Sequence, residues 1–325
     1  MSNALLNMLE SESRSQESFA EELRENMSAV QVRFHWFGTR RSVSVSQKHR
    51  AAQTFSAEKD YVSMGKKLFD TSHPAWKHLT KVRGEIEKYW QSVTLPYPDP
   101  GIRLMRRSDI AAFEEKMQEM QVKLQNAERN LDVSYHELRD AARNKLGSLY
   151  NEGDYPETLI GMFTLEWDFP NVEAPEYLRT ISPNLYRRAT ERIQSRFTEA
   201  VTLAEEAFFG ELSGMVSHLA ERITGSDDGK PKVFRDSVIN NLLDFFERFK
   251  RLNIGSSEEL DRFVADVQGI VAGVAPDDLR DSGSLRGHVA RELGQVRQAL
   301  DEHMIDRPRR NLIRNRPVTP EAVAA

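Results

Sequence analysis

The sequence predicts a mainly α-helical (α+β) fold: a long antiparallel coiled-coil arm, a small mixed β-sheet at its base, and a C-terminal helical bundle. Three observations carry that expectation. From Ile110 to Leu131 apolar residues recur at intervals of 3, 4, 3, 4, 3 and 4, the heptad spacing of a helix that buries one narrow seam. A second apolar stripe runs from Leu185 to Ile223. Between Val30 and Trp36 the period changes to strict alternation, with Val30, Val32, Phe34 and Trp36 set against Gln31, Arg33 and His35, as in a half-buried strand.

Composition bounds what the chain can do. Its 325 residues are 39% hydrophobic and 29% charged, and the length corresponds to about two domains. A mean hydropathy of -0.59 fits elongated helical architecture better than one compact globule. A formal net charge of -5 excludes attraction of the whole molecule to nucleic acid or anionic lipid, so such binding needs a local patch. Cys is absent, which excludes disulfides, thiolate nucleophiles and Cys-based metal centres. Residues 1–28 combine no basic n-region with a continuous apolar stretch, so no signal peptide is expected. No apolar run approaches the ~20 residues of a membrane span. A cytoplasmic location without membrane contact is the expectation.

Taken in order, residues 3–28 read as an amphipathic helix. The strand at 30–36 then turns at Gly38-Thr39, and Val43 and Val45 continue the alternation on a second strand. Two strands alone bury too little to stand in water, so Gly101–Met105 and Met162–Trp167 are expected to complete the sheet. Helices are expected at 48–69 and 74–92, the second opened by Pro74. The Pro-rich run 94–101 forbids helix. Ser108 or Asp109 caps a long helix over 109–150, ~60 Å at 1.5 Å per residue. Its seam is Ile110, Phe113, Met117, Met120, Leu124, Ala127, Leu131, Tyr135 and Leu138. Two fours fall together at 127–131–135, a stutter that unwinds the supercoil locally.

Gly147, Gly153 and Pro156 end that helix, and a Pro- and aromatic-rich connector covers 151–182. Ser182-Pro183 then opens a second long helix over 183–224, with a stripe that includes Ile193, Phe197, Phe208, Leu212 and Leu219. Two helices of similar length joined this way pack most simply antiparallel. Shorter helices are expected near 233–253, 256–273 and 284–304. The first is the most apolar segment, with Phe245, Phe246 and Phe249 as core or as a partner surface. The expected organisation is thus an α+β region (1–107), the arm (108–224), a helical bundle (225–305) and a mobile basic tail (306–325).

Chemistry-bearing motifs are scarce. Gly225 to Gly229-Lys230 has three intervening residues, and Lys230 is followed by Pro231, so it is a charged turn and not a phosphate loop. No His has Glu three residues before it, which removes the di-metal signature of helical bundles. Asp70 with His73 straddle a loop. His136 and Asp140 lie one helical turn apart but lack the further ligands a metal needs. The aromatic residues Trp90, Tyr97, Tyr155, Phe163, Trp167, Phe169 and Tyr177 read as a mini-core first and a ligand cleft second. Basic residues cluster at Arg103, Arg106 and Arg107, and in the tail at Arg307, Arg309, Arg310, Arg314 and Arg316. The tail is the segment suited to phosphate contact.

Several stretches together carry a resemblance: Lys66–Asp70 with His73–Trp76, the run Tyr89–Leu104, Gly229–Ser237, and Asp306–Arg310. Over most of its length the chain resembles an uncharacterised bacterial and phage family known only as a domain of unknown function. Members tend to be encoded near MoxR-type AAA+ ATPases and von Willebrand factor A proteins. The resemblance implies an accessory role beside such a machine and transfers no catalytic residue.

These readings converge on a non-enzymatic scaffold or adaptor without cofactor. It would act through the coiled-coil seam and the apolar helix on a protein partner, either an AAA+ ATPase or a second copy. The alternative is a nucleic-acid-binding protein that uses the arginine tail. An enzyme with an unfamiliar site around Tyr155–Tyr177 is the third reading.

Overall fold

The computed structural model describes residues 18–224, 237–255 and 257–306. The molecule is mostly helical with a four-stranded sheet. A helix over residues 18–26 (α1) leads straight into β1 (Met27–Trp36). This strand is central: it pairs antiparallel with β5 (Ile102–Arg106) on one side and with β6 (Phe163–Asp168) on the other, while β4 (Leu95–Pro96) extends the sheet beyond β5. The three long strands lie where alternation and β-branched content place them. The sheet is antiparallel throughout rather than mixed, because each of its strands reverses direction against its neighbour.

The expected hairpin between β1 and Val43–Val45 does not form. Both edges of β1 are already taken, so β2 (Arg40–Ser42) pairs instead with β3 (Gly65–Lys67) in a separate two-stranded ribbon. Ser44 then caps α2 (Val45–Thr54), with Val45 as its first residue. The helix expected over 48–69 ends early for the same reason, since the chain must return to form β3. The helix α3 (Pro74–Ser92) has Pro74 at its first position, as expected.

The two sheet faces have different fates. Val30, Val32, Leu165 and Phe163 share one face and join the main core with Leu79, Val82 and Ile86 of α3. Ala29, Leu95 and Leu104 lie on the opposite face and are also buried. Further along that face stand Gln31, Arg33 and His35. There Arg33 pairs with Asp168 at 2.5 Å and His35 faces Glu166 at 3.4 Å, in contact with solvent.

The first long helix is α4 (Ile110–Val133), followed by α5 (Tyr135–Leu146). Ser134 interrupts them, at the stutter where two four-residue steps adjoin. Its N–H bonds Leu131 O at 3.1 Å, a tight turn that restarts the helix without losing the buried stripe: Tyr135, Leu138 and Ala142 continue it. Gly147, at φ +50°, ends α5.

Burial along the seam follows the heptad, but its partner does not. Phe113, Met117, Leu124, Leu131 and Leu138 are buried, and Ile110 and Met120 pack half-buried at the rim of the same core. What covers them is α3 and β6, and no coiled-coil arm with the second long helix is built. A narrow apolar stripe states that something apolar lies over it. It does not say whether that is a helix or a sheet.

A polar column on α4 completes the contact. Glu114, Gln121 and Glu128 stand seven residues apart and meet β6 in reverse order. Glu114 accepts from Trp167 Nε1 at 2.8 Å, Gln121 Nε2 donates to Leu165 O at 3.1 Å, and Glu128 Oε1 accepts from Phe163 N–H at 3.1 Å. Gln121 and Glu128 thereby occupy backbone groups that the outermost strand would otherwise leave bare, and Glu114 satisfies an indole N–H beside them.

After β6 and the short α6 (Tyr177–Ile181), α7 runs unbroken over Pro183–Thr224, as expected. The chain divides into two compact units, and α7 passes through the division. One holds residues to Ala204 together with Arg251–Ser256, and the other holds Glu205–Lys250 and the chain from Ser257 on. This cuts across the expected limits, because α4 folds with the N-terminal elements. In the first unit Ile193 and Phe197 are buried, Phe197 meets Tyr97 edge-on at 5.6 Å, and Arg196 pairs with Asp99 at 2.8 Å.

The second unit holds α8 (Ser237–Leu252) except its last two residues, with α9 (Glu258–Val271), α10 (Pro276–Asp281) and α11 (Gly283–Asp306). Phe245, Phe246 and Phe249 are 2%, 6% and 6% exposed, so they are core and not a partner surface. Phe208 of α7 receives Phe245 and Phe249 edge-on at 6.2 and 5.1 Å, and Leu212 and Leu219 are buried in the same unit. A helix this amphipathic buries its apolar face internally when its own unit offers one.

Capping of the sheet edge has a measurable consequence. Glu128 is 5% exposed, and removing its carboxylate leaves the Phe163 N–H unsatisfied. Glu128→Ala should cost about 1–3 kcal/mol in urea unfolding, while Glu128→Gln, which keeps an acceptor, should cost clearly less. Equal losses for both would show that the edge contact is dispensable.

Candidate functional site

The ribbon β2–β3 is the neck of an excursion that runs from Thr39 to Leu68. Register places Arg40 opposite Lys67, Arg41 opposite Lys66 and Ser42 opposite Gly65. Leu68 N–H to Thr39 O at 2.8 Å and Val43 N–H to Met64 O at 3.2 Å close the ribbon at its two ends. Beyond it, Ser44 and Gln47 form a capping box at the start of α2, which satisfies two of the helix's orphan donors. At the far end Ala57 N–H returns to Ala52 O and Ser56 N–H to Gln53 O, a Schellman closure with Ser56 at φ +50°. That left-handed position is normally given to Gly.

Little of this finger is buried: Val43, Ala52, Lys66 and Leu68 only. Large apolar side chains stand in solvent instead, with Val45 77%, Phe55 79% and Tyr61 87% exposed. Residues 39–68 hold seven basic residues (Arg40, Arg41, Lys48, Arg50, Lys59, Lys66 and Lys67) against two acidic ones, Glu58 and Asp60. Five excess positive charges therefore sit on one excursion of a chain whose net charge is -5.

Strand geometry sorts the four ribbon cations. Cross-strand partners share a face, and like charges directly opposite each other are unfavourable. Lys66 and Arg41 share one face, where Lys66 is buried and Arg41 exposed, and both have partners. Lys66 Nζ lies 2.6 Å from Asp154 Oδ2 and donates to Leu149 O at 2.6 Å. The Arg41 guanidinium sits 5.4 Å over the Phe37 ring and donates to Gly38 O and Arg40 O. Arg40 and Lys67 form the outward pair, and among the described residues neither has a salt bridge. The same holds for Lys48, Arg50 and Lys59. Asp70 is held below the usual carboxylate range mainly by the Ser72 hydroxyl and amide, with Lys145 and Lys67 adding through space.

The neck is fixed to the body at several points. Besides the Lys66–Asp154 pair, Tyr155 OH donates to the buried Leu68 O at 2.7 Å, Gln47 Nε2 donates to Ser148 O at 3.0 Å, and Phe37 stacks with Phe69 at 6.5 Å. Tyr150 stacks on Tyr155 at 4.9 Å, with the Arg143 guanidinium 5.0 Å above Tyr150. Burial pushes the Tyr135 and Tyr155 phenols up to about 12.

The sites expected from sequence fare differently. The aromatic residues of the connector do not converge on one cleft. Tyr155 and Phe163 are in the main core, Tyr97 packs on Phe197, Phe169 meets Phe113 at 6.3 Å, and Tyr177 is 64% exposed. His136 Nδ1 and Asp140 Oδ2 are 3.1 Å apart on an exposed helix face. His73 caps α3, its Nδ1 accepting from Ala75 N–H. Among the described residues no three His, Asp or Glu side chains gather as metal ligands do. Arg103 and Arg107 are structural, bonding Thr94 and the carbonyl groups of Met27 and Arg24. The turn at 225–230 and Arg307, Arg309, Arg310, Arg314 and Arg316 lie outside the described residues.

Sequence reading missed the finger because it assigned 48–69 to a helix. The signal was present in the charge excess over 39–68, combined with the lack of any apolar stripe.

Two outcomes test the anchor. Asp154→Ala should cost about 3 kcal/mol, because it leaves a buried ammonium unpaired, whereas the double change Asp154→Leu with Lys66→Met should cost less than the single one. A single-variant loss below about 0.5 kcal/mol in urea unfolding, the size of an ordinary surface change, would remove the anchor. The second outcome concerns alkaline pH. A phenol raised from 10.0 to about 12 contributes stability that is intact below pH 10 and is lost as pH rises through about 12. Tyrosinate absorbance should therefore show Tyr135 and Tyr155 ionising late and together with alkaline unfolding, and Tyr155→Phe should remove one late proton.

No known family model matches the chain, and neither a curated protein nor a solved structure shows significant similarity to it.

Proposed function

We propose that the chain is a non-enzymatic adaptor whose cationic finger docks on a polyanionic partner. The observation that carries this reading is the contrast within one ribbon: Lys66 has a buried carboxylate partner and Arg41 rests on the Phe37 ring, while Arg40 and Lys67 on the other face have no salt bridge among the described residues. Two like charges held opposite each other on a fixed neck attract anions more strongly than the same charges scattered on flexible chain, since the repulsion between them is relieved on binding. The resemblance to proteins encoded beside MoxR-type AAA+ ATPases supports such an ATPase as the adaptor's protein partner. Neither the coiled-coil seam nor the phenylalanines of α8 serve in this reading, because both are consumed by folding.

A matched pair of triple variants tests the reading. Replacing Arg40, Arg50 and Lys67 by Glu changes the finger's charge by six. Replacing Lys77, Lys81 and Lys88, all exposed on α3, changes net charge equally. On immobilised heparin the native chain should be retained at low salt, the finger variant should flow through, and the α3 variant should elute close to native. Equal loss in both variants would reduce the effect to net charge and end the finger reading.

A further inference from the structure

We infer that the finger's occupant is single-stranded nucleic acid, its bases stacking on Phe55 and Tyr61 while its phosphates pair with Arg40, Arg50, Lys59 and Lys67. The inference rests on the polyanion reading above and adds the chemistry that selects among polyanions.

Charge alone does not distinguish a glycan, a duplex, a membrane or a single strand. The aromatic side chains do. Phe55 is the C-cap of α2 and Tyr61 ends the three-residue turn Lys59–Tyr61, and neither ring meets another ring among the described residues. They are 79% and 87% exposed, on an excursion where Arg40, Lys48, Arg50, Lys59 and Lys67 have no salt bridge among the described residues. Exposed rings interleaved with cations form the platform on which unpaired bases stack, every base having a π-face. In a duplex the bases stack on one another and the rings would stay idle. Each strand of the ribbon has three residues, too short a blade to read a major groove, which takes a full helix or a longer β-ribbon. A membrane surface calls for a helix with a broad apolar face of Trp, Phe or Leu. The ten residues of α2, VSQKHRAAQT, offer Val45 and alanines.

The experiment measures anisotropy of a labelled oligothymidylate of about 16 nucleotides, the upper end of known site sizes, with the full chain. The comparison arms are a duplex of equal length and phosphatidylserine vesicles. Both rings are exposed, so Phe55→Ala and Tyr61→Ala leave the core untouched. Each should weaken single-strand binding roughly ten-fold, the scale of one lost stacking contact, while heparin retention stays native. Phe55→Trp should restore binding and gain fluorescence quenching on addition of oligonucleotide. The affinity should fall with salt at about 0.7 per phosphate contact, a slope of roughly three for four cations.

Binding that depends on the finger cations but ignores both ring deletions would overturn the inference and leave the polyanion reading standing. So would equal affinity for the duplex, or a preference for vesicles. Binding that survives loss of rings and finger cations, yet disappears when Arg307, Arg309, Arg310, Arg314 and Arg316 are replaced, would move the site to the tail and overturn both readings. Absence of oligonucleotide and heparin binding alike at low salt would also end both.

Discussion

The outermost strand of an antiparallel sheet presents backbone N–H and C=O groups that burial cannot leave bare, and the architecture of the first unit follows from how β6 meets that constraint. No further strand is recruited. Instead α4 lies along the edge and supplies Gln121 and Glu128 to Leu165 and Phe163, while its apolar seam fills the space beneath. One helix therefore closes the core and blunts the edge. Because both tasks fall to residues repeating every seven, the helix must stay in phase with the strand from Glu114 to Glu128, about four turns. The break at Ser134 comes after Glu128, the last residue of the column that bonds β6, where the helix is free to reset its phase.

That arrangement explains why α4 and α7 are not partners. A coiled-coil seam needs a facing helix along its whole length, and α3 together with β6 already occupies that side of α4. The stripe on α7 is used in two parts instead. Ile193 and Phe197 are buried in the first unit, and Phe208, Leu212 and Leu219 in the second.

Much of the element inventory was legible in the sequence, because it depends on local periodicity. The three long strands, the Pro74 and Pro183 starts and the end at Gly147 appear where composition and spacing put them, whereas the single helix expected over 109–150 is two, broken at Ser134. Pairing was legible only in part. The alternation of β1 fixed which residues face the core, but not that Ile102–Arg106 and Phe163–Asp168 would take both its edges and exclude Val43. Burial of Phe113, Met117 and Leu124 was likewise readable, whereas the identity of what covers them was not, since apolar side chains carry no label for their partner. The finger was obscured for a different reason. Its residues have no strong period, and its meaning lies in a pairing, Arg40 with Lys67, between positions twenty-seven apart.

A ribbon of three-residue strands has little to hold its register, since hydrogen bonds alone allow a slip that sends every side chain to the opposite face. The Lys66–Asp154 pair supplies that specification. Ion pairs this deeply buried add little net stability, because desolvation offsets their attraction, but they fix geometry when a misplaced charge would be left unpaired. A one-residue slip of β3 would bury Lys67 against Asp154 and turn Lys66 outward, and it would lose the Lys66 bond to Leu149 O, the Tyr155 bond to Leu68 O and the stack of Phe37 on Phe69. The same contacts that hold the neck thus determine that Arg40 and Lys67 face out together. An anion-binding element made of so few residues needs its charges aimed in advance, and here the aim is set by one buried lysine adjacent in sequence to the exposed one.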